Sequence, residues 1–186
     1  MELKEQILNY VPFNEQEERD KKLLLEWLSQ PDVFERKNEK AHFTSSAWVL
    51  NPERTKVLMI YHNIYDSWAW MGGHADGEED MLATALREAK EESGLEELSP
   101  LSPAPTGLDI LTVKGHFKRG KWVVPHLHLS LCYSFVADPN QQLRIKPDEN
   151  SGVQWLPVDR LAEFVSEPDL LPVYDRIIRR TKALLL

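Results

Sequence analysis

The chain has 186 residues, 42% hydrophobic and 28% charged, enough apolar side chain for one globular domain with a short appended segment. Thirty Asp and Glu against 22 Lys and Arg give a net charge of -8, which excludes a general binder of nucleic-acid backbones, because such proteins gather positive charge. The single cysteine, Cys132, allows no intramolecular disulfide and suits a reducing, cytoplasmic setting; the opening twenty residues carry no signal-peptide core and no membrane-length apolar run.

In chain order, residues 1–40 are expected to be a helical extension and residues 41–186 the main domain. Asn14 is placed to cap a helix, with Glu17 three residues later, apolar Leu23, Leu24, Trp27 and Leu28 along it, and Pro31 as its stop. "HFTSSAWVLN" and "KVLMIYHN", joined by the turn-like "NPERT", predict a first hairpin. A helix over about residues 77–93 follows, with Asp76 and Glu79 as a capping box and Gly94 as a left-handed C-terminal cap. "LDILTVKGHF" and "KWVVPHLHLSLCYSFVAD", either side of "KRG", predict a second, longer hairpin. "VQWLPVDRLAEFV" gives a strand and a short helix, and "LLPVYDRIIRRTKALLL" a closing amphipathic helix with its cations toward the C-terminus. This order predicts an α/β protein with a mixed sheet covered by helices on both faces.

The chemistry concentrates in "GHADGEEDMLATALREAKEESGL", residues 73–95. At about 100° per residue, Leu82, Ala85, Leu86 and Ala89 form an apolar stripe, and Glu88, Glu91 and Glu92 cluster beside it. Three converging carboxylates repel one another once water is partly excluded. Arg87 and Lys90 compensate in part, Arg87 and Glu91 being four residues apart. A divalent cation neutralises such a group better, and Mg²⁺ in particular uses one or two carboxylates and completes its octahedron with waters and substrate phosphate oxygens. Glu78, Glu79, Asp80, Glu96 and Glu97 are equally explained as solvated helix-face charge. Gly72, Gly73 and Gly77 just before the helix let bare backbone approach an anionic ligand.

With Gly73, Glu79, Arg87, Glu88, Ala89, Glu91, Glu92, Gly94 and Leu95 in register, this stretch resembles the signature of the Nudix hydrolase superfamily. The resemblance implies a Nudix-like α/β/α sandwich, with Mg²⁺ or Mn²⁺ bound by Glu88, Glu91 and Glu92. It implies that Arg87 orients a glutamate, Glu79 belongs to the outer electrostatics and Gly73 shapes the loop. The implied reaction is hydrolysis of a diphosphate in a small molecule, typically a nucleoside diphosphate derivative, with Glu91, Glu92, Arg87 and a later acid doing the work. Glu149, beside Asp148, is the candidate for that later general base or extra ligand, or else part of a polar turn. Met71 departs from the family, many members of which carry Pro before the paired glycines. The implied partner is a small-molecule diphosphate rather than a nucleic acid or a membrane, and a homodimer stays open.

Substrate contacts are less sharply written. His126 and His128 alternate with leucines on one strand, as half-buried polar residues, pocket lining or, less favoured, metal ligands. Lys118 and Arg119, with Lys114 and Lys121, mark a basic hairpin tip that either meets phosphates or is ordinary exposed charge. Trp70 either stacks on a base or fills core. Two other functions fit the same chain: an enzyme resembling isopentenyl diphosphate isomerases, for which His42 and His74 speak, and a non-catalytic Nudix-fold binding module. Against the first stands Cys132, far from the glutamates in sequence; against the second, an intact signature.

Overall fold

The computed structural model describes residues 2–118 and 120–184. Helices α1 (Leu3–Asn9) and α2 (Glu15–Trp27) come first. Asn14 caps α2 by accepting a 2.9 Å hydrogen bond from the Glu17 N–H, and the Glu17 carboxylate reaches back to accept from the Phe13 N–H. Strands β1 (Ala41–Leu50) and β2 (Lys56–His62) form the first hairpin. Its turn is held by Asn51, whose side-chain oxygen accepts from the N–H groups of Thr55 and Lys56.

Then follow β3 (Ser67–Ala69), β4 (Met71–His74), α3 (Met81–Ser93) and β5 (Ser99–Pro100). Strands β6 (Gly107–Val113), β7 (His116–Lys118), β8 (Lys121–Val123), β9 (His126–Val136) and β10 (Asn150–Pro157) precede a closing helix, α4 (Leu171–Ala183). The main sheet runs β10-β2-β1-β9-β5, with β3 joined to β2, β4 to β1 and β6 to β9. Among the described residues only β1 and β9 run parallel, a mixed sheet as expected.

Three expectations need correction. The acidic helix begins at Met81, not near residue 77, because Asp76 and Gly77 have φ of 50° and 91°, left-handed values no helix can run through. Asp80 is its cap, accepting from the Ala83 N–H at 3.0 Å. The second hairpin is real in β6 and β9, but its outer part breaks away as the separate two-stranded pair β7–β8. The short helix after β10 is a single 3₁₀ turn, Leu161–Glu163.

Every residue of β1 is buried, because both sheet faces are covered. Phe43, Ala47 and Val49 pack with α3 (Met81, Ala85, Ala89) and with Ile7 and Leu24 of the first two helices. Alternate residues Trp48 and Leu50 pack on the other side with Val173, Tyr174 and Ile177 of α4. The product is an α/β/α sandwich. Helix α2 lies along β6, the Asp20 carboxylate accepting from the Ile110 N–H at 3.2 Å. It is further tied in by buried ion pairs: Arg176 of α4 meets both Glu17 and Asp109, and Arg180 meets Glu17 at 2.6 Å. No helix among the described residues is long and apolar enough to cross a membrane.

Candidate functional site

Helix α3 turns a mixed face to the sheet. Met81, Ala85 and Ala89 bury apolar surface, and on the same side Glu88 and Glu92 are only 7% and 2% exposed. Burying ionised carboxylates is costly unless something answers their charge. β4 provides part of the answer with backbone. The Gly72 N–H donates to Glu92 Oε2 at 2.9 Å, and a Cβ at Gly73 would collide with the Glu88 carboxylate, so the missing side chain makes the room. Arg87 Nη1 donates to Glu88 Oε1 at 2.7 Å from a half-exposed position.

The third carboxylate comes from the turn before β10. Glu88, Glu92 and Glu149 each offer an oxygen, all within 4.8 Å of one another. Asn150, fully buried, fixes this turn to the end of α3 by donating from its side chain to the Glu92 carbonyl at 3.0 Å. Lys146 stands at the rim, its Nζ 3.0 Å from Glu149 and 3.1 Å from Glu91. Among the described residues no Lys or Arg forms an ion pair with Glu92.

The titration behaviour follows. Burial first, then repulsion from Glu88 and Glu149, pushes Glu92 up to about 8 against the pull of the Gly72 N–H and Lys146. Glu88 is raised too, chiefly by burial, with Arg87 opposing. Burial disfavours the charge on Lys146, but Glu149 and Glu91 together hold its ammonium above its ordinary value.

The residues singled out in the sequence separate in space. Glu88, Glu92 and Glu149 converge; Glu91 does not, standing on the exposed side of α3 with Lys146 and, at 3.7 Å, Arg87. Glu79 is exposed in the irregular segment before α3. Trp70 packs edge-on against Tyr174, ring centroids 5.2 Å apart, in the core beneath α4. Cys132 is buried in that same core, not beside the glutamates, which takes away the acid an isomerase reading needs. Arg119 lies outside the described residues, as does the side chain of Lys118; Lys121 opposite is exposed.

His126 and His128 are not an isolated pair. Their rings lie with those of His42 and His74 in one group, centroids 4.8–5.4 Å apart for every contacting pair. Burial, followed by His42 and His126, lowers His128 to about 3, so its imidazole is neutral. The sequence offered the members separately; what joins them is strand register, His42 standing opposite His128 across β1 and β9. Lys146, Asn150 and the bidentate pairing of Arg36 with Asp76 were likewise absent from the sequence reading.

Residues 40–180 match the family model described as the NUDIX domain. The chain is 33% identical over 133 residues to a Homo sapiens protein named m7GpppN-mRNA hydrolase NUDT17, covering 68% of this chain and 39% of that one. It is 29% identical over 126 residues to a CMP-5'-(N-acetyl-N-hydroxy-3-aminopropyl)phosphonate hydrolase of Streptomyces rubellomurinus, covering 63% and 52%. The chain thus spans about half, or less, of the length of these curated relatives. Among solved structures, the Nudix hydrolase RenU of M. smegmatis superposes with a TM-score of 0.55 at 17% identity, covering 78% of this chain and 88% of that one. The NUDIX domain of Shewanella oneidensis NrtR, solved with ADP ribose, gives 0.52 at 20% identity, covering 87% and 97%. Both likenesses are of fold.

Proposed function

The chain belongs to the NUDIX domain family, and from that membership we propose that it hydrolyses a diphosphate linkage in a nucleoside diphosphate-type small molecule with the help of a divalent cation. The observation that carries this reading is the convergence of Glu88, Glu92 and Glu149, two of them buried, with no ion pair to Glu92 among the described residues. Such a donor set, all carboxylate oxygen, fits Mg²⁺ or Mn²⁺. The two curated relatives are named for an m7GpppN-mRNA and a CMP phosphonate, which supports a nucleotide in the substrate.

In this reading Glu88, Glu92 and Glu149 hold the ion, which when bound supplies positive charge to the diphosphate and eases deprotonation of water. The chain's own groups set the geometry. Arg87 fixes the Glu88 carboxylate, the Gly72 N–H fixes that of Glu92, and Asn150 holds the Glu149 turn against α3. Glu91 joins the ligand set only on parting from Lys146. Glu149, on the outer side of the group, takes the proton of a water whose oxygen bonds to one phosphorus. The bond from that phosphorus to the bridging oxygen breaks, and the second phosphate leaves with the electron pair. Lys146 offers its charge to the phosphates at the rim. Residues 1–40 brace the domain of residues 41–186 through the Glu17 ion pairs.

The test is a phosphate-release screen with Mg²⁺ over nucleotides, nucleotide sugars, dinucleotides and diphosphate lipids, wild type beside Glu92→Gln. Hydrolysis by wild type and its loss in the variant is the expected result. Equal inactivity on every substrate, with no binding of divalent ions, would refute the reading.

A further inference from the structure

We propose that His42, His74, His126 and His128 form a second metal centre, separate from the glutamates, which takes a transition ion of the zinc class through imidazole nitrogens alone. Each of the four offers a ring nitrogen, and these nitrogens all lie within 4.8 Å of one another. The group contains four of the chain's six histidines. They come from three strands: His42 from β1, His74 from β4, and His126 and His128 from one face of β9.

The ring orientations are those of ligands. Nδ1 of His42 lies 2.9 Å from the Asn38 carbonyl oxygen, and Nδ1 of His126 lies 2.8 Å from that of Val124. A carbonyl only accepts, so both Nδ1 atoms carry a proton, and Nε2 is the atom of each ring that is left to face a metal. Metal-bound histidines are held in this way, by a second group on the far nitrogen. His42 is 4% exposed, and its Nε2 has no hydrogen-bond partner among the described residues. An orphaned buried acceptor carries a desolvation cost that a bound ion would remove. Nε2 of His126 lies 3.2 Å from Nε2 of His128. Two nitrogens at about 2.0–2.1 Å from one tetrahedral ion would be separated by roughly 3.3 Å, so this pair needs almost no movement.

The donor chemistry separates the two centres. Imidazole suits Zn²⁺, Co²⁺, Ni²⁺ and Cu²⁺, whereas carboxylate oxygen suits Mg²⁺ and Mn²⁺. Their placement links them: on β4 Gly73 faces Glu88, and the next residue, His74, faces His42 and His128. An ion on the histidines would clamp β1, β4 and β9 together and stiffen the strand that makes room for the carboxylates, so its binding would add to folding stability.

The experiment loads the full metal-free chain with one equivalent of Zn²⁺ or Co²⁺. X-ray absorption of the Zn²⁺ form should show a shell of imidazole nitrogens near 2.0 Å, and the Co²⁺ form should show the intense visible bands of tetrahedral coordination. His42→Ala and His128→Ala should each weaken Co²⁺ binding by about 100-fold or more, while Glu92→Gln leaves the bands in place. No stoichiometric binding, an oxygen-only shell, or bands abolished by Glu92→Gln and kept by both histidine variants would overturn the proposal. If the histidine variants fail to fold, the shell measured on wild type decides alone.

Discussion

Two groups of buried carboxylates differ in what answers their charge. Glu17 and Asp109, 1% and 2% exposed, meet Arg176 and Arg180 directly, and these pairs join α2, β6 and α4. Glu88 and Glu92 are as deeply placed, yet their cations, Arg87 and Lys146, stand at the rim and are shared with exposed Glu91 and with Glu149. Burial raises acids in both, Asp109 to about 7 and Glu92 to about 8. The first group is complete without a ligand and serves to join elements. In the second, no Lys or Arg among the described residues pairs with Glu92, which leaves room for a cation. Counting charges does not distinguish them; the position of the guanidinium does.

The sharpest way to separate the two groups is to neutralise the acid in one and the cation in the other. Glu92→Gln should lower kcat in Mg²⁺ on the order of 10³-fold, since several kcal/mol of charge stabilisation depend on the ion. Above about pH 8 the same variant, free of metal, should be as stable as wild type or more so, read by thermal denaturation, because it removes a buried charge that no cation pairs with. Arg176→Met should do the reverse: a loss of about 3–5 kcal/mol in stability, with activity per folded molecule and its Mg²⁺ dependence unchanged. A strongly destabilised Glu92→Gln, or a harmless Arg176→Met, would collapse the distinction.

The comparison also has a pH signature. The folded value for Glu92, about 8, lies above an ordinary carboxylate value of 4.5. Its contribution to stability is therefore fully present below pH 4.5 and is lost as pH rises through about 8. Asp109, also raised, shifts with the same sign, so the difference between wild type and Glu92→Gln isolates the glutamate. Denaturant melts of metal-free protein should show wild type falling relative to the variant across that window. Mg²⁺ at about 100 times its Kd should restore roughly 2.7 kcal/mol to wild type at pH 8, and nothing comparable to the variant. The smallest effect is expected at the rim: Lys146→Gln frees Glu91 and Glu149 from a competing cation and should tighten Mn²⁺ binding by up to about 5-fold, measured by titration.

What was legible in the sequence was local. Asn14 capping α2 and Gly94 at φ 76° ending α3 are decided by neighbours a few residues away. The metal-type spacing of Glu88 and Glu92 is also a property of one helix, and the family resemblance reached Glu149 across nearly sixty residues. The start of α3 was misplaced because Asp76 and Asp80 are the same residue type, and only backbone conformation tells them apart. Glu91 was grouped with its neighbours because a helical projection shows angles but not Lys146, which draws it outward. The four histidines were invisible as a set, since their meeting depends on the parallel register of β1 with β9 and the pairing of β4 beside Thr44.

The buried carboxylates of α3, Glu88 and Glu92, are predicted to hold a cation with Glu149. The most direct measurement is titration of the metal-free chain with Mn²⁺, followed by loss of the free-ion electron paramagnetic resonance signal, beside Glu92→Gln under the same conditions. Saturable binding by wild type and its collapse in the variant is the predicted result; equal binding by the two, or none by wild type, would contradict it.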